Sequence, residues 1–176
     1  MEQAAMELYG ERGFEQTTVA EIAGRAGLTE RTFFRHFADK REVLFGGATA
    51  LKELLVNRVA EAPGDAAPLD AIAAALEAAG ALLEQRRAGA RQRQAIIDAH
   101  EDLQERELIK LASLASSLAE ALRRRGVRDP AASLTAEAGI AVFKIAFARW
   151  VNDPRATDLP HIIRQSLDEL KTVTRY

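Results

Sequence analysis

Residues 17–41, TTVAEIAGRAGLTERTFFRHFADKR, restrict this chain to few folds. Val19, Ile22 and Ala23 recur at helical spacing behind Thr17 and Thr18, either of which can cap a helix. Gly27 then offers a turn in which a positive φ costs little. Thr29 can cap a second helix running from Glu30 to His36, with Phe33 and Phe37 on one side. Two short helices around such a turn form a helix-turn-helix. The second opens with polar residues and carries Arg31 and Arg35, which suits entry into the DNA major groove.

The surrounding residues make this more specific. Ala5, Leu8, Tyr9, Gly13, Phe14, Thr17 and Thr18 lead into Ile22, Ala23, Ala26 and Gly27. Thr32, Phe33, Phe34, His36, Phe37 and Lys40 then close the run. At these spacings the stretch from Ala4 to Phe45 resembles the N-terminal domain of the TetR family of bacterial transcriptional regulators. The resemblance covers about a quarter of the chain. It implies an all-α protein with a three-helix helix-turn-helix head, residues 1–46, on a helical effector-binding and dimerisation body, residues 47–176.

Carried over by position, the resemblance assigns DNA contacts to Thr18, Thr29, Glu30, Arg31, Thr32, Phe34, Arg35, His36 and Lys40. Arg31 is the expected base reader, because a guanidinium pairs bidentately with guanine O6 and N7. Glu30 can accept from cytosine N4 or cap its own helix. Thr18, Thr32, His36 and Lys40 are the expected phosphate contacts. Two positions depart from the family. Phe34 stands where a tyrosine is common and cannot offer a hydroxyl, so sugar or a thymine methyl becomes its expected neighbour. Arg31 replaces a small residue, so an operator sequence cannot be transferred from relatives. Family members often carry a basic arm before the first helix, whereas this sequence begins inside the motif.

Charge is distributed unevenly. The net charge is −2, yet residues 25–41 hold five Lys/Arg against Glu30 and Asp39, a local +3. A basic patch on an acidic protein can still supply several phosphate contacts. Zero cysteines exclude disulfides and thiolate zinc sites, and fit a reducing bacterial cytoplasm. The start, Met-Glu-Gln-Ala, does not read as a signal peptide, and no run of about 18 apolar residues is evident, so a membrane role is not expected.

Beyond the head, Asp39 can cap a fourth helix from about Lys40, with Val43, Leu44, Leu51, Leu54 and Leu55 inward. Ala62-Pro-Gly-Asp-Ala-Ala-Pro68 is a break. Leu69, Ile72, Leu76, Ala79 and Leu83 mark a fifth helix. Leu108, Leu111, Leu114, Leu118 and Leu122 mark another, ending at Arg123-Arg-Arg125. That basic run favours a helix C-terminus over DNA contact. From Pro130 to Val151 two apolar rows appear: Leu134, Ala138, Ala141, Val142 and Ile145, then Phe143, Phe147 and Trp150. A helix apolar on two sides needs two partners. After Asn152-Asp153-Pro154 a last helix carries Leu159, Ile163, Leu167 and Leu170.

In the TetR family the last two helices form a four-helix dimer interface, so the first of those rows and the last helix's stripe are the expected contacts of a homodimer. Candidate lining for an unidentified, hydrophobic small-molecule effector is Leu76, Leu83, His100, Leu111, Phe143, Phe147 and Trp150. The expected function is a repressor released from a palindromic, double-stranded operator, nucleoid-associated when bound. The alternative is a helical protein-interaction adaptor without DNA binding. No metal, cofactor or catalytic constellation is expected: there is no cysteine nucleophile, G-x-S-x-G elbow, Walker loop or G-x-G-x-x-G, and Asp98-Ala-His-Glu101 does not fit metal-ligand spacing.

Overall fold

The computed structural model describes residues 1–153 and 155–174, all helix, turn or loop; Pro154 of the expected break lies outside them. The chain forms two compact units, one of Met1–Thr49 with Ala88–Glu105, the other of Ala50–Arg87 with the chain from Arg106 onward. The first unit is therefore not a contiguous 1–46 stretch: it also takes in residues 88–105.

In the first unit, helix α1 (Glu2–Arg12) buries Ala4, Ala5, Leu8 and Tyr9. Helix α2 (Val19–Arg25) starts at a capping box, in which the Thr18 hydroxyl accepts from the Glu21 amide and the Glu21 carboxylate accepts from the Thr18 amide. Gly27 turns the chain at φ 68°. Helix α3 (Glu30–His36) follows, capped by Thr29 through the Thr32 amide. Phe14, Ile22, Ala23, Phe33, Val43, Leu44 and Phe45 join Ala5, Leu8 and Tyr9 in one apolar cluster. Ile97 and Leu103, both 0% exposed, complete that cluster.

The expected fourth helix begins later than its capping signal suggests. Asp39 accepts from the amides of Arg41 and Glu42, at 2.8 and 3.0 Å, and so caps a 3-10 turn, Glu42–Phe45. Helix α4 (Ala48–Glu61) starts only after Gly46 and Gly47, because paired glycines oppose continuation. Val43 and Leu44 thus belong to the turn, and of the expected α4 residues only Leu55 is fully buried.

Helix α6 (Arg87–Asp98) and helix α7 (Glu101–Arg124) supply residues 88–105 to the first unit. In the second unit, α5 (Pro68–Glu84), α8 (Ala131–Asn152) and α9 (Leu159–Val173) pack together. Small residues allow the approach. Gly139 of α8 faces Ile72 of α5 so closely that a Cβ there would collide with the Ile72 methyl. Further along α7, Leu114, Leu118 and Leu122 are buried, whereas Leu108 is exposed, so the expected stripe stops short of its first member. The basic run behaves as a helix-end stabiliser: Arg123 pairs with Asp129, Arg124 with Glu120, and Arg125 donates to the carbonyls of Ala62 and Pro63.

Helix α8 is long and apolar enough to cross a membrane by length and composition, with a mean hydropathy of 1.4 over its most apolar window. Its two faces account for that composition. One buries Ala132, Ala136, Ile140, Val142, Phe143, Ala146 and Trp150; the other leaves Leu134 and Ile145 66% and 65% exposed.

Candidate nucleic-acid interface

Within α3 only Phe33 is fully buried, and it anchors the helix to its unit. Phe33 is 0% exposed and meets Phe37 with ring centroids 5.4 Å apart. At 100° per residue, Arg31 and Arg35 stand roughly opposite Phe33, with Phe34 and Thr32 flanking them. Those four side chains line one open groove on the surface. Burial of Phe33 thus dictates which residues are presented outward.

The basic patch is smaller than its sequence suggests. Of six lysines and arginines in residues 1–49, four are engaged internally. Arg12 pairs with Glu21, Arg25 with Glu7 and bidentately with Glu11, and Arg41 with Asp102. Lys40 donates to the carbonyl oxygens of Phe14, Glu15 and Thr17 at 2.9, 3.0 and 3.1 Å. Among the described residues, Arg31 and Arg35 have no ion pair or hydrogen bond to their side chains. Glu30 and His36, both exposed, are equally without side-chain partners there. Glu30 does not cap its helix, since Thr29 does so alone.

Lys40, an expected phosphate contact, is engaged within its own unit. An ammonium has three protons, and three carbonyls take them. Its Nζ also stands 4.6 Å from the Phe14 ring centroid, so the lysine secures the turn between α1 and α2. Thr18 is likewise committed, donating its hydroxyl to Glu21 at 2.9 Å within the capping box. Thr29 and Thr32 share a 3.1 Å hydroxyl contact at the start of α3. Glu30, Arg31, Phe34, Arg35 and His36 are the expected contacts left exposed and unengaged by polar partners. The sequence signal for these internal pairings was weak: glutamates at 7, 11 and 21 meet arginines only once α1 and α2 pack.

Ionisation follows from the same contacts. The Arg25 hydrogen bond holds Glu11 below the usual carboxylate range. Hydrogen bonds from Thr18 do the same for Glu21, and the Arg41 hydrogen bond for Asp102. Burial, reinforced by the Asp39 charge, raises the Tyr9 phenol, whose hydroxyl donates to the Lys40 carbonyl at 2.7 Å.

The expected effector lining divides between the two units. His100 belongs to the first unit, where its ring packs 4.9 Å from Phe14 and its Nδ1 lies 2.8 Å from the Ile96 carbonyl oxygen. Its chain neighbours Ile97 and Leu103 carry it into that core. The remaining six lie in the second unit. Leu76 and Trp150 are 0% exposed, Phe143 is buried, and Leu83, Leu111 and Phe147 are half-buried. Phe143, Phe147 and Trp150 stack along α8 with centroids 5.8 and 5.6 Å apart. The Trp150 indole N–H is buried without a hydrogen-bond partner among the described residues.

The expected dimer row also divides. Val142, Leu159, Ile163 and Leu167 are buried within the chain, because the α9 stripe packs against α5 and α8. They are corrected from interface to core. Leu134, Ala141 and Ile145 are exposed, and Ala138 and Leu170 half-buried. Leu134, Ala138, Ala141 and Ile145 recur at steps of four, three and four along α8, which forms a single outward apolar stripe.

Comparison with known proteins bears on both units. Residues 3–45 match the family of bacterial regulatory proteins, tetR family. Residues 66–175 match the MftR C-terminal domain. The HTH-type transcriptional regulator TcmR of Streptomyces glaucescens is 39% identical over 71 residues, a match covering 40% of this chain and 31% of the relative's length. Two solved structures share the fold at low identity. FadR of Bacillus subtilis, in complex with stearoyl-CoA, is 21% identical with a TM-score of 0.62, covering 96% of this chain and 95% of that one. FadR of Thermus thermophilus, in complex with lauroyl-CoA, is 24% identical with a TM-score of 0.58, covering 99% and 93%.

Proposed function

Because this chain belongs to the TetR family of bacterial regulatory proteins, we propose that it is a homodimeric repressor that reads a palindromic operator through α3 and is released by a hydrophobic small molecule. The observation that carries the DNA reading is the pair of unpaired guanidinium groups, Arg31 and Arg35, opposite the anchored Phe33. The other lysine and arginines of 1–49 are engaged within their own unit, Arg12, Arg25 and Arg41 by carboxylates and Lys40 by backbone carbonyls. The two left over point where a major groove would lie, and Arg31 opens the helix whose N-terminal side chains meet base edges. Thr29, Glu30, Thr32 and His36 complete this surface, while Thr18 and Lys40 support it from behind.

The α8 stripe supports self-association. Two antiparallel copies of α8 would set Leu134 against Ile145 of the partner subunit and Ala138 against Ala141 of the partner subunit. Glu137 and Lys144 lie on the same flank of the stripe, exposed and without side-chain partners among the described residues. Two-fold pairing brings each near the opposite charge. Symmetry of this kind also suits two half-sites about 34 Å apart or a multiple of it.

Release by a ligand requires an effector that binds better to the conformation that fits DNA poorly. The aromatic row Phe143, Phe147 and Trp150, with Leu76, Leu83 and Leu111, supports the second unit as the seat of a hydrophobic effector. The acyl-CoA complexes of the two FadR neighbours support that class of ligand. The protein would act in the bacterial cytoplasm, on the nucleoid.

The deciding experiment titrates the full chain against the DNA flanking its own gene and against random duplex, over a range of salt. A palindromic footprint whose affinity falls steeply with salt is expected. Equal or absent binding at low salt would favour a protein-interaction adaptor.

A further inference from the structure

Phe34 is 55% exposed on the outward face of α3, a large apolar ring among polar neighbours. It does not fold back into the core: Phe33 holds it edge-on, with centroids 5.5 Å apart and planes at 83°. Around the helix, Phe34 lies between Glu30 and Arg31, both of the first turn, while Thr32 and Arg35 occupy the other flank. Phe34 thus shares its own flank with two first-turn residues of a helix whose N-terminal side chains meet base edges.

We propose that Phe34 is a specificity-determining residue that selects a thymine in each half-site, its ring packing on the C5 methyl. The inference rests on the DNA-binding reading above and deepens it. A phenyl ring can neither donate to phosphate nor accept from a base amine. In the major groove the one apolar group on a base edge is the thymine methyl. The unpaired Arg31 and Arg35, which line the same groove as Phe34, carry the ring to the nucleic acid by charge. Deoxyribose is the other apolar surface within reach, and contact with it would carry no sequence information.

The test begins by selecting preferred duplexes from a randomised pool with the full-length protein. Each thymine of the selected site is then replaced by deoxyuridine, which removes only the methyl. One position per half-site is expected to lose about three- to tenfold in affinity with the wild-type protein. The same replacement leaves Phe34→Ala unchanged, and Phe34→Ala on the thymine site shows a comparable loss with an unaltered salt slope. Thermal unfolding of Phe34→Ala matches wild type, because the ring is exposed. If Phe34→Ala weakens every sequence equally and no deoxyuridine position discriminates the two proteins, the ring contacts sugar and the proposal is overturned. A selection that enriches nothing removes the DNA-binding reading itself, a failure distinct from a site that is enriched but insensitive to uracil.

Discussion

Lys40 Nζ stands 2.9 Å from the carbonyl oxygen of Phe14 and shares its remaining protons with the carbonyls of Glu15 and Thr17. One side chain thus joins the end of the α3 turn to the loop between α1 and α2. Lys40→Ala leaves three acceptors without a charged donor, so the first unit should lose about 2 kcal/mol of stability. Denaturant unfolding of the variant checks this. Unchanged stability with weakened DNA affinity would return Lys40 to the phosphate role.

Arg31 has no internal partner, so its removal should cost nothing in folding. Arg31→Ala is expected to lose about 1–3 kcal/mol of operator affinity and to relax preference at one base pair per half-site. Binding across a panel of single-base operator variants measures this. A uniform loss over the whole panel would make Arg31 a backbone contact.

Ile145, 65% exposed in the single chain, lies in the outward stripe of α8. Ile145→Glu should convert the proposed dimer to a monomer in sedimentation while leaving helical content unchanged. Glu137→Lys and Lys144→Glu should each weaken association, and combining them should restore it. A dimer indifferent to all three would place the interface elsewhere.

Gly139 and Ile72 meet where α8 crosses α5. A methyl at Gly139 gains helix propensity, about 1 kcal/mol, but strikes the stiff, β-branched Ile72. The collision should prevail, so Gly139→Ala destabilises the second unit by about 1–3 kcal/mol before that gain is offset. The double change with Ile72→Ala should show coupling, since space is then available. Strict additivity in thermal unfolding would refute the steric account.

Glu11, Glu21 and Asp102 all sit below the usual carboxylate range, and all lie in the first unit. Depressed folded values mean that their stabilisation is present above the unfolded carboxylate range and lost as pH falls through the folded values. Stability of the first unit should therefore hold from neutrality to about pH 5 and decline below about pH 4. Denaturation of wild type and Asp102→Asn across this range should show a shallower decline in the variant. Parallel curves would remove Asp102 from the explanation.

The head was legible because it is written locally. Thr18, Gly27, Thr29, Phe33 and Phe37 act within a turn or two of themselves, and α2 and α3 fall where capping and periodicity put them. What escaped the sequence depends on distant partners. Lys40 looked like a free cation until Phe14, Glu15 and Thr17 were folded beside it. Asp39 signalled a helix that Gly46 and Gly47 postponed. In the body, periodicity identified which residues of α8 and α9 are apolar without telling inner from outer. Leu159, Ile163 and Leu167 share the spacing of Leu134 and Ile145, yet only packing against α5 decides which set is hidden.

The core of the first unit is closed by Ile97 and Leu103, which lie more than forty residues beyond its other members in the chain. A recombinant exchange of heads between relatives, cut once after the helix-turn-helix, would leave the first unit's apolar cluster without two of its members. Grafting a new DNA preference onto another regulator therefore calls for a two-piece transplant, or for confining the change to the outward residues of α3. Inheritance faces the same constraint: substitutions on the reading helix can drift freely, whereas shuffling of whole heads must carry both segments together.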